Sequence, residues 1–291
     1  MTAPPDAVIC AGRVYCDLVF TGAPALPSLG TETFADGLTL HGGGGALITA
    51  ASFVAEGRDA ALLATLPAPP FEDILRRDIT RTGVDASKCR SAAPGAAPQL
   101  TIAMAQGADR AFLSHKSGPA LPDPDFSGGR WCHLHIGELA SLIEHPDLIA
   151  RARAAGMSIS LDCGWDADLL ARGAALAARI AAVDVFLPNM AEYAQLCRSG
   201  LTENTAPVTV VKCGAAGARA RIRNGAWIDQ ATDPAPVTDA TGAGDAFNGS
   251  FLNAWLDAAP IDTCLARGNR AGGRAVQSPG GLAHLHPGKA Q

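Results

Sequence analysis

No two of the eight cysteines stand at CxxC spacing, and the chain opens without the charged-then-apolar segment of a secretory leader. A disulfide framework is therefore not expected, and the thiols should be reduced. No apolar run of bilayer-spanning length is free of charge, which argues against a transmembrane helix and for a soluble, cytoplasmic protein. Lysine and arginine, 23 together, are scattered among 28 acidic residues, for a net charge of −5. Without a basic patch, nucleic acid and anionic membranes have no electrostatic footprint, so the expected partner is a small molecule. The Walker A pattern is missing, and GxGxxG fails at every register of the four consecutive glycines at 42–45. Two common nucleotide-binding folds are thereby set aside. Aromatics amount to only 5%, which with the abundant Ala and Gly says more about composition than about function.

What the chain does have is length and alternation. Its 291 residues suffice for one large α/β domain with a full core. A strand is expected over 7–20, a helix over 45–56 closed by Gly57, and a further helix closed by Gly83. Two alternating stretches, PQLTIAMAQ and RAFLSHKS, suit a hairpin with its turn around Gly107 and Asp109. From Trp131 to Gly214, short apolar strands alternate with helices, which implies a parallel sheet covered on both faces. Ligands of such sheets lie at the carboxyl ends of the strands.

The most informative run is DATGAGD, from Asp239 to Asp245, followed by the helix-like AFNGSFLNAWLDA. Gly242, Ala243 and Gly244 let the backbone turn with its N–H groups outward, and the helix adds the positive end of its dipole, so an anion is welcome there. Asp245 stands at the end of this seat. A carboxylate beside a phosphate site suits a general base that takes the proton of a hydroxyl undergoing phosphorylation. The plain alternative is a glycine-rich turn capping a helix, with Asp245 as a first-turn acid.

The run closely resembles the C-terminal signature of the ribokinase-like, or PfkB, carbohydrate kinases, and other landmarks of that family follow in order along nearly the whole chain. The resemblance implies a ribokinase-like three-layer α/β/α sandwich over 1–291, with a mainly parallel sheet and a small β-sheet lid from about 13–39 and 99–117. It makes Asp245 the catalytic base and Gly242, Ala243 and Gly244 the anion hole. Ser250 departs from the usual Gly or Ala, at little cost if its hydroxyl bonds back to a carbonyl.

On the same resemblance Asp17, at the close of the first strand, binds acceptor hydroxyls, and Gly43 and Gly44 let the acceptor lie against the backbone. Ile48, or Leu47 after a shift of one residue, replaces the Asn expected to hold a sugar, which puts the usual ribose or fructose mode in doubt. The family's GxDxxG segment is absent from LPAPPFEDI. Asn189 and Glu192 match the family's NxxE motif, which holds Mg²⁺ through water; their spacing equally suits an ordinary helix cap. Lys212, Gly214, Gly217 and Asn269 match nucleotide-binding positions. A lone ammonium at the end of a buried strand wants an anion such as phosphate, or else snorkels to solvent. In several relatives the region of Asp239 and Thr241 also binds a monovalent cation such as K⁺. Glu138 aligns with an acidic substrate contact, and Asp162 ends the next strand. His133 and His135, with His284 and His286, do not make a convincing zinc site.

The expectation is an ATP- and Mg²⁺-dependent kinase acting on a hydroxyl of a sugar or sugar-like molecule, with a possible homodimer through the lid. The alternatives are a nucleoside kinase of the same family and a non-catalytic sensor of a sugar or nucleotide.

Overall fold

The structure, a computed structural model, describes residues 6–106 and 109–285. Its larger sheet has eight strands in the order Ile228–Gln230, Ala218–Ile222, Val208–Lys212, Val185–Phe186, Ser158–Leu161, Trp131–Ile136, Ala7–Ala11 and Ala60–Leu63. Neighbours run parallel from Ala60–Leu63 across to Val208–Lys212, and the last two strands turn back antiparallel. Side-chain alternation builds the layers. Val8 and Cys10 point into one core with Phe53 and Phe251, while Ile9 and Ala11 point into a second with Leu142 and Leu176. Helices therefore cover both faces, as a sheet buried on both sides requires.

The stretch 7–20, expected as one strand, divides into Ala7–Ala11 and Tyr15–Thr21, which belong to different sheets. The break falls where Gly12 passes close to Ala46 and Arg13 turns inward. Arg13 is 3% exposed, so its charge demands partners. Its guanidinium bonds Glu144 at 2.8 Å, the Gly118 carbonyl at 3.0 Å and the Gln99 side chain. Asp17 consequently lies within a strand of the smaller sheet and does not end a core strand.

That smaller sheet orders Gly37–Gly43, Tyr15–Thr21, Leu100–Gln106 and Asp109–His115. The last two pair antiparallel as a hairpin; the expected turn residue Gly107 lies outside the described residues, as does His286. Arg13 fastens the approaches to this sheet, through Gln99 and Gly118, to the helix Leu139–Glu144.

Elsewhere the pattern holds with additions. The helices Gly45–Ala55 and Phe71–Thr82 form as read, the latter ending at a left-handed Gly83. The short helices Leu139–Glu144 and Ala167–Leu170 and the antiparallel strands Ala218–Ile222 and Ile228–Gln230 were not anticipated. The alternation ARARI, with Ala218 and Ala220 buried, carries the signal of the first of these strands. All eight cysteines are free, and among the described residues no helix is long and apolar enough to cross a membrane.

Candidate active site

The run DATGAGD forms the N-terminal turn of the helix Ala243–Leu256. Gly242 caps it at φ 76°, and a Cβ there would lie 2.7 Å from the Gly281 Cα. Only glycine tolerates both the angle and the contact. The Asp239 carboxylate braces the turn, accepting from the Thr241 N–H at 2.8 Å and the Gly280 N–H at 2.5 Å. Asp239 and Thr241 thus tie the anion seat to the loop that follows residue 276. Ser250 does not bond back within its helix: its hydroxyl donates across to the Glu56 carboxylate.

Ile48 sits beneath this seat. It is 3% exposed, with Cδ1 3.0 Å from the place a Cβ on Gly242 would occupy, and it also abuts Gly281. Leu47 is fully buried in the same core. The expected apolar wall against an acceptor is therefore not formed by either residue; both face inward because the helix Gly45–Ala55 packs on Ala243–Leu256. Gly44, at φ 109°, is explained by the Arg13 carbonyl, which would lie 2.5 Å from a Cβ.

Asp245 stands half-buried on the first turn, in the cavity wall, and a Cβ on Gly45 would lie 2.7 Å from its Oδ1. The fourth glycine of the run is thus the one against the carboxylate. Burial pushes the Asp245 carboxyl up to about 7, with Asp162 and Glu192 adding repulsion and Lys212 opposing them.

Lys212 is not a lone ammonium. Its Nζ lies 2.8 and 3.0 Å from the two Asp162 oxygens and 3.1 Å from the Asn248 Oδ1. Asn248 Nδ2 in turn donates to Asp162 at 2.5 Å, and the Cys163 N–H donates to it at 2.7 Å. Lys212 does not snorkel, and the anion it pairs with is a carboxylate 50 positions away in sequence. The head group nevertheless lies beside the seat, 3.5 Å from where a Gly244 Cβ would be. Burial pulls the ammonium's pKa down, but Asp162, Glu192 and Asp245 outweigh it and the net shift is upward.

Asn189 and Glu192 form a reciprocal capping box at the start of the helix Met190–Arg198, with bonds of 2.9 and 2.8 Å. Their spacing is accounted for by that cap. What singles out Glu192 is its place: it is 5% exposed in the cavity wall, and burial followed by Asp162 pushes it up to about 7.

These groups line one cavity of about 770 Å³, together with Gly45, Glu138, Gly214, Gly217 and Asn269. Gly217, at φ 91°, has no room for a Cβ against the Gln230 carbonyl, and Asn269 Nδ2 donates to the same carbonyl at 2.8 Å. Asn269 thus holds the wall in place. Glu138 accepts from the Arg13 N–H at 3.2 Å and from Ser141 at 2.9 Å, and burial raises its pKa. Asp17, Gly43, Gly44 and Ile48 do not belong to this wall. Asp17 lies against Gly43, whose missing side chain makes room for the carboxylate. His133 and His135 are buried within the sheet and bond Ser158 and Ser160 at 2.7 to 2.8 Å.

The family described as pfkB family carbohydrate kinase matches residues 30–286. The chain belongs to this family. Similar to this pfkB kinase is an ATP-dependent ribose-1-phosphate kinase of Halopiger xanaduensis, 27% identical over 277 residues that cover 91% of this chain and 90% of the relative. A nucleoside kinase of Methanocaldococcus jannaschii superposes with a TM-score of 0.82 at 18% identity, covering 98% and 96% of the two chains. An Arabidopsis thaliana ribokinase complexed with ribose and ATP gives 0.76 at 19%, covering 97% and 96%. These structural matches establish the ribokinase-like fold.

Sequence reasoning missed Gly45, Asn248 and Arg13. The first was hidden in a run of identical glycines, and the others depend on partners far along the chain.

Proposed function

We propose that this pfkB kinase transfers the terminal phosphoryl group of ATP to a hydroxyl of a sugar or sugar-like acceptor. One observation carries the reading: the half-buried carboxylate of Asp245 sits on the first turn of a 14-residue helix and lines the cavity together with Ala243 and Gly244 of the same turn. The acceptor oxygen bonds to phosphorus, its proton passes to Asp245, and the bond from phosphorus to the ADP oxygen breaks. The backbone at Gly242, Ala243 and Gly244 receives the transferring group. The Ala243 N–H meets the Ala240 carbonyl at only 3.3 Å, a long contact that a phosphate oxygen can replace.

The nucleotide lies along Lys212, Gly214 and Gly217, on the wall that Asn269 holds. The acceptor lies toward Glu138, with Asp17 and Gly43 at the small sheet. Small-sheet closure over the cavity would exclude water that otherwise accepts the phosphoryl group.

Among the described residues no three acidic, His or Cys side chains converge as direct metal ligands. Magnesium would therefore be held by the phosphates of the nucleotide, favoured by the surplus negative charge that Asp162, Glu192 and Asp245 bring beside the single Lys212 ammonium. Glu192 and Asn189 would hold it through water, since Glu192 Oε2 and Asn189 Oδ1 are engaged in the cap. When bound, it neutralises charge on the phosphates. The test is ADP release across a panel of sugars and nucleosides, with Asp245→Asn as control. Release that persists in that variant would remove Asp245 from the reaction.

A further inference from the structure

Beyond the main cavity lies a second one of about 160 Å³, walled by Tyr15, Ser114, Lys116, Glu138, Trp165 and Asp166 among others. Glu138 and Gly164 belong to both walls. A continuous path joins it to the reacting end. Asp245 abuts Gly45, a Cβ on Gly45 would lie 3.4 Å from the Gly137 carbonyl, and Glu138 follows in sequence. An acceptor whose hydroxyl meets Asp245 therefore runs over two bare glycines to Glu138, and anything larger than a single sugar ring continues into the side cavity.

Resting on the kinase reading above, we propose that this side cavity receives the flat heterocyclic ring of a nucleoside, stacked on Trp165, whose ribose is the phosphorylated part. Trp165 is 69% exposed and packs into neither core, although burying so large an apolar ring is ordinarily favourable. A lone exposed apolar residue is unremarkable on an open surface. This one stands in the wall of a cavity on the acceptor path, with Tyr15 as a second ring in the same wall.

The charges favour a neutral guest. Lys116 Nζ lies 3.7 Å from Asp166 Oδ2, while Asp166 Oδ1 caps the turn Ala167–Leu170. One cation and one anion offset each other, and burial drives Glu138 toward its neutral form. Nothing in this balance draws a phosphate. An aromatic face with Ser114, Lys116 and Asp166 at its edges instead suits a ring that stacks through its plane and hydrogen-bonds at its rim.

The test compares wild type, Trp165→Ala and Trp165→Phe in kcat/KM with ATP for nucleosides and for free ribose, alongside quenching of tryptophan fluorescence by nucleosides without ATP. The expected result is a preference for nucleosides over ribose that falls about tenfold in Trp165→Ala, mainly through KM, and is largely restored in Trp165→Phe. Nucleosides should quench wild-type fluorescence, with the quench lost in Trp165→Ala. Turnover of ribose with neither turnover nor quenching by any nucleoside would overturn the assignment. So would a sugar phosphate whose KM depends on Lys116, in Lys116→Met, and not on Trp165. If no acceptor of any class releases ADP, the kinase reading falls separately, and the Trp165-dependent quench still decides the cavity.

Discussion

The carboxylate of Asp245 fills the space that a side chain on Gly45 would need. A methyl group there would lie 2.7 Å from Oδ1 and 3.4 Å from the Gly137 carbonyl. The carboxylate is the movable partner, so Gly45→Ala should fold normally and displace the base. Misplacement by about 1 Å is enough to cost about 100-fold in rate. Expected are a kcat lower by about that factor and a Tm close to wild type, read by steady-state kinetics and thermal unfolding. A variant with unchanged kcat would show that Asp245 is not positioned by this contact.

Asp245 itself gives a prediction with two readouts. As a base it must be ionised, and burial with repulsion from Asp162 lifts its pKa from 3.8 to about 7. The kcat/KM of the free enzyme should therefore climb with pH and level off above about 7. Stability runs the other way, because the folded state holds this proton more tightly than the unfolded chain. Its contribution is fully present below 3.8 and is lost as pH rises through about 7. Asp245→Asn, neutral throughout, should lose turnover by about 100-fold or more yet gain Tm relative to wild type, by more at pH 8 than at pH 4. An equal Tm difference at both values would mean the carboxyl is not strained by burial.

Lys212 and Asp162 make the third test. Lys212→Met strands three nearby carboxylates without their cation, and breaking one side of a buried pair costs about 3 to 5 kcal/mol. Adding Asp162→Asn removes the worst of the repulsion, so the double variant should be more stable than Lys212→Met alone. Urea unfolding at pH 7 measures this. A double variant less stable than the single would show that the pair is not the main partner of either group.

The fold was legible because its signals are local. Strand and helix periods alternate from Trp131 onward, and the left-handed stops at Gly57 and Gly83 can be read from a few neighbours. The turn DATGAGD was legible for the same reason: glycine and the following helix fix it within seven residues. The site was less so. Asp162 and Lys212 end the strands Ser158–Leu161 and Val208–Lys212, which are not neighbours, since Val185–Phe186 lies between them. Their meeting depends on the sheet order, which no window of sequence contains. The NxxE spacing was ambiguous for a different reason: a capping box and a water-mediated metal site ask for the same residues at the same interval, and the cap is what forms.

Ile48 supplies the last prediction. In sequence it stands where a sugar-binding Asn is expected, which puts the usual ribose or fructose mode in doubt. In the structure it is 3% exposed beneath Gly242 and Gly281, with core on its other sides. An amide there lies among apolar groups, at a cost of about 1 to 3 kcal/mol for its unmet hydrogen bonds. Because the side chain supports the anion seat and not the acceptor, the harm should fall on kcat for all acceptors alike, with a lower Tm and no acceptor improved. Steady-state kinetics of Ile48→Asn over sugars and nucleosides, paired with thermal unfolding, reads both effects. A selective gain in kcat/KM for one acceptor would place residue 48 in contact with substrate, and the packing of the helix Gly45–Ala55 under the seat would have to differ in the working enzyme.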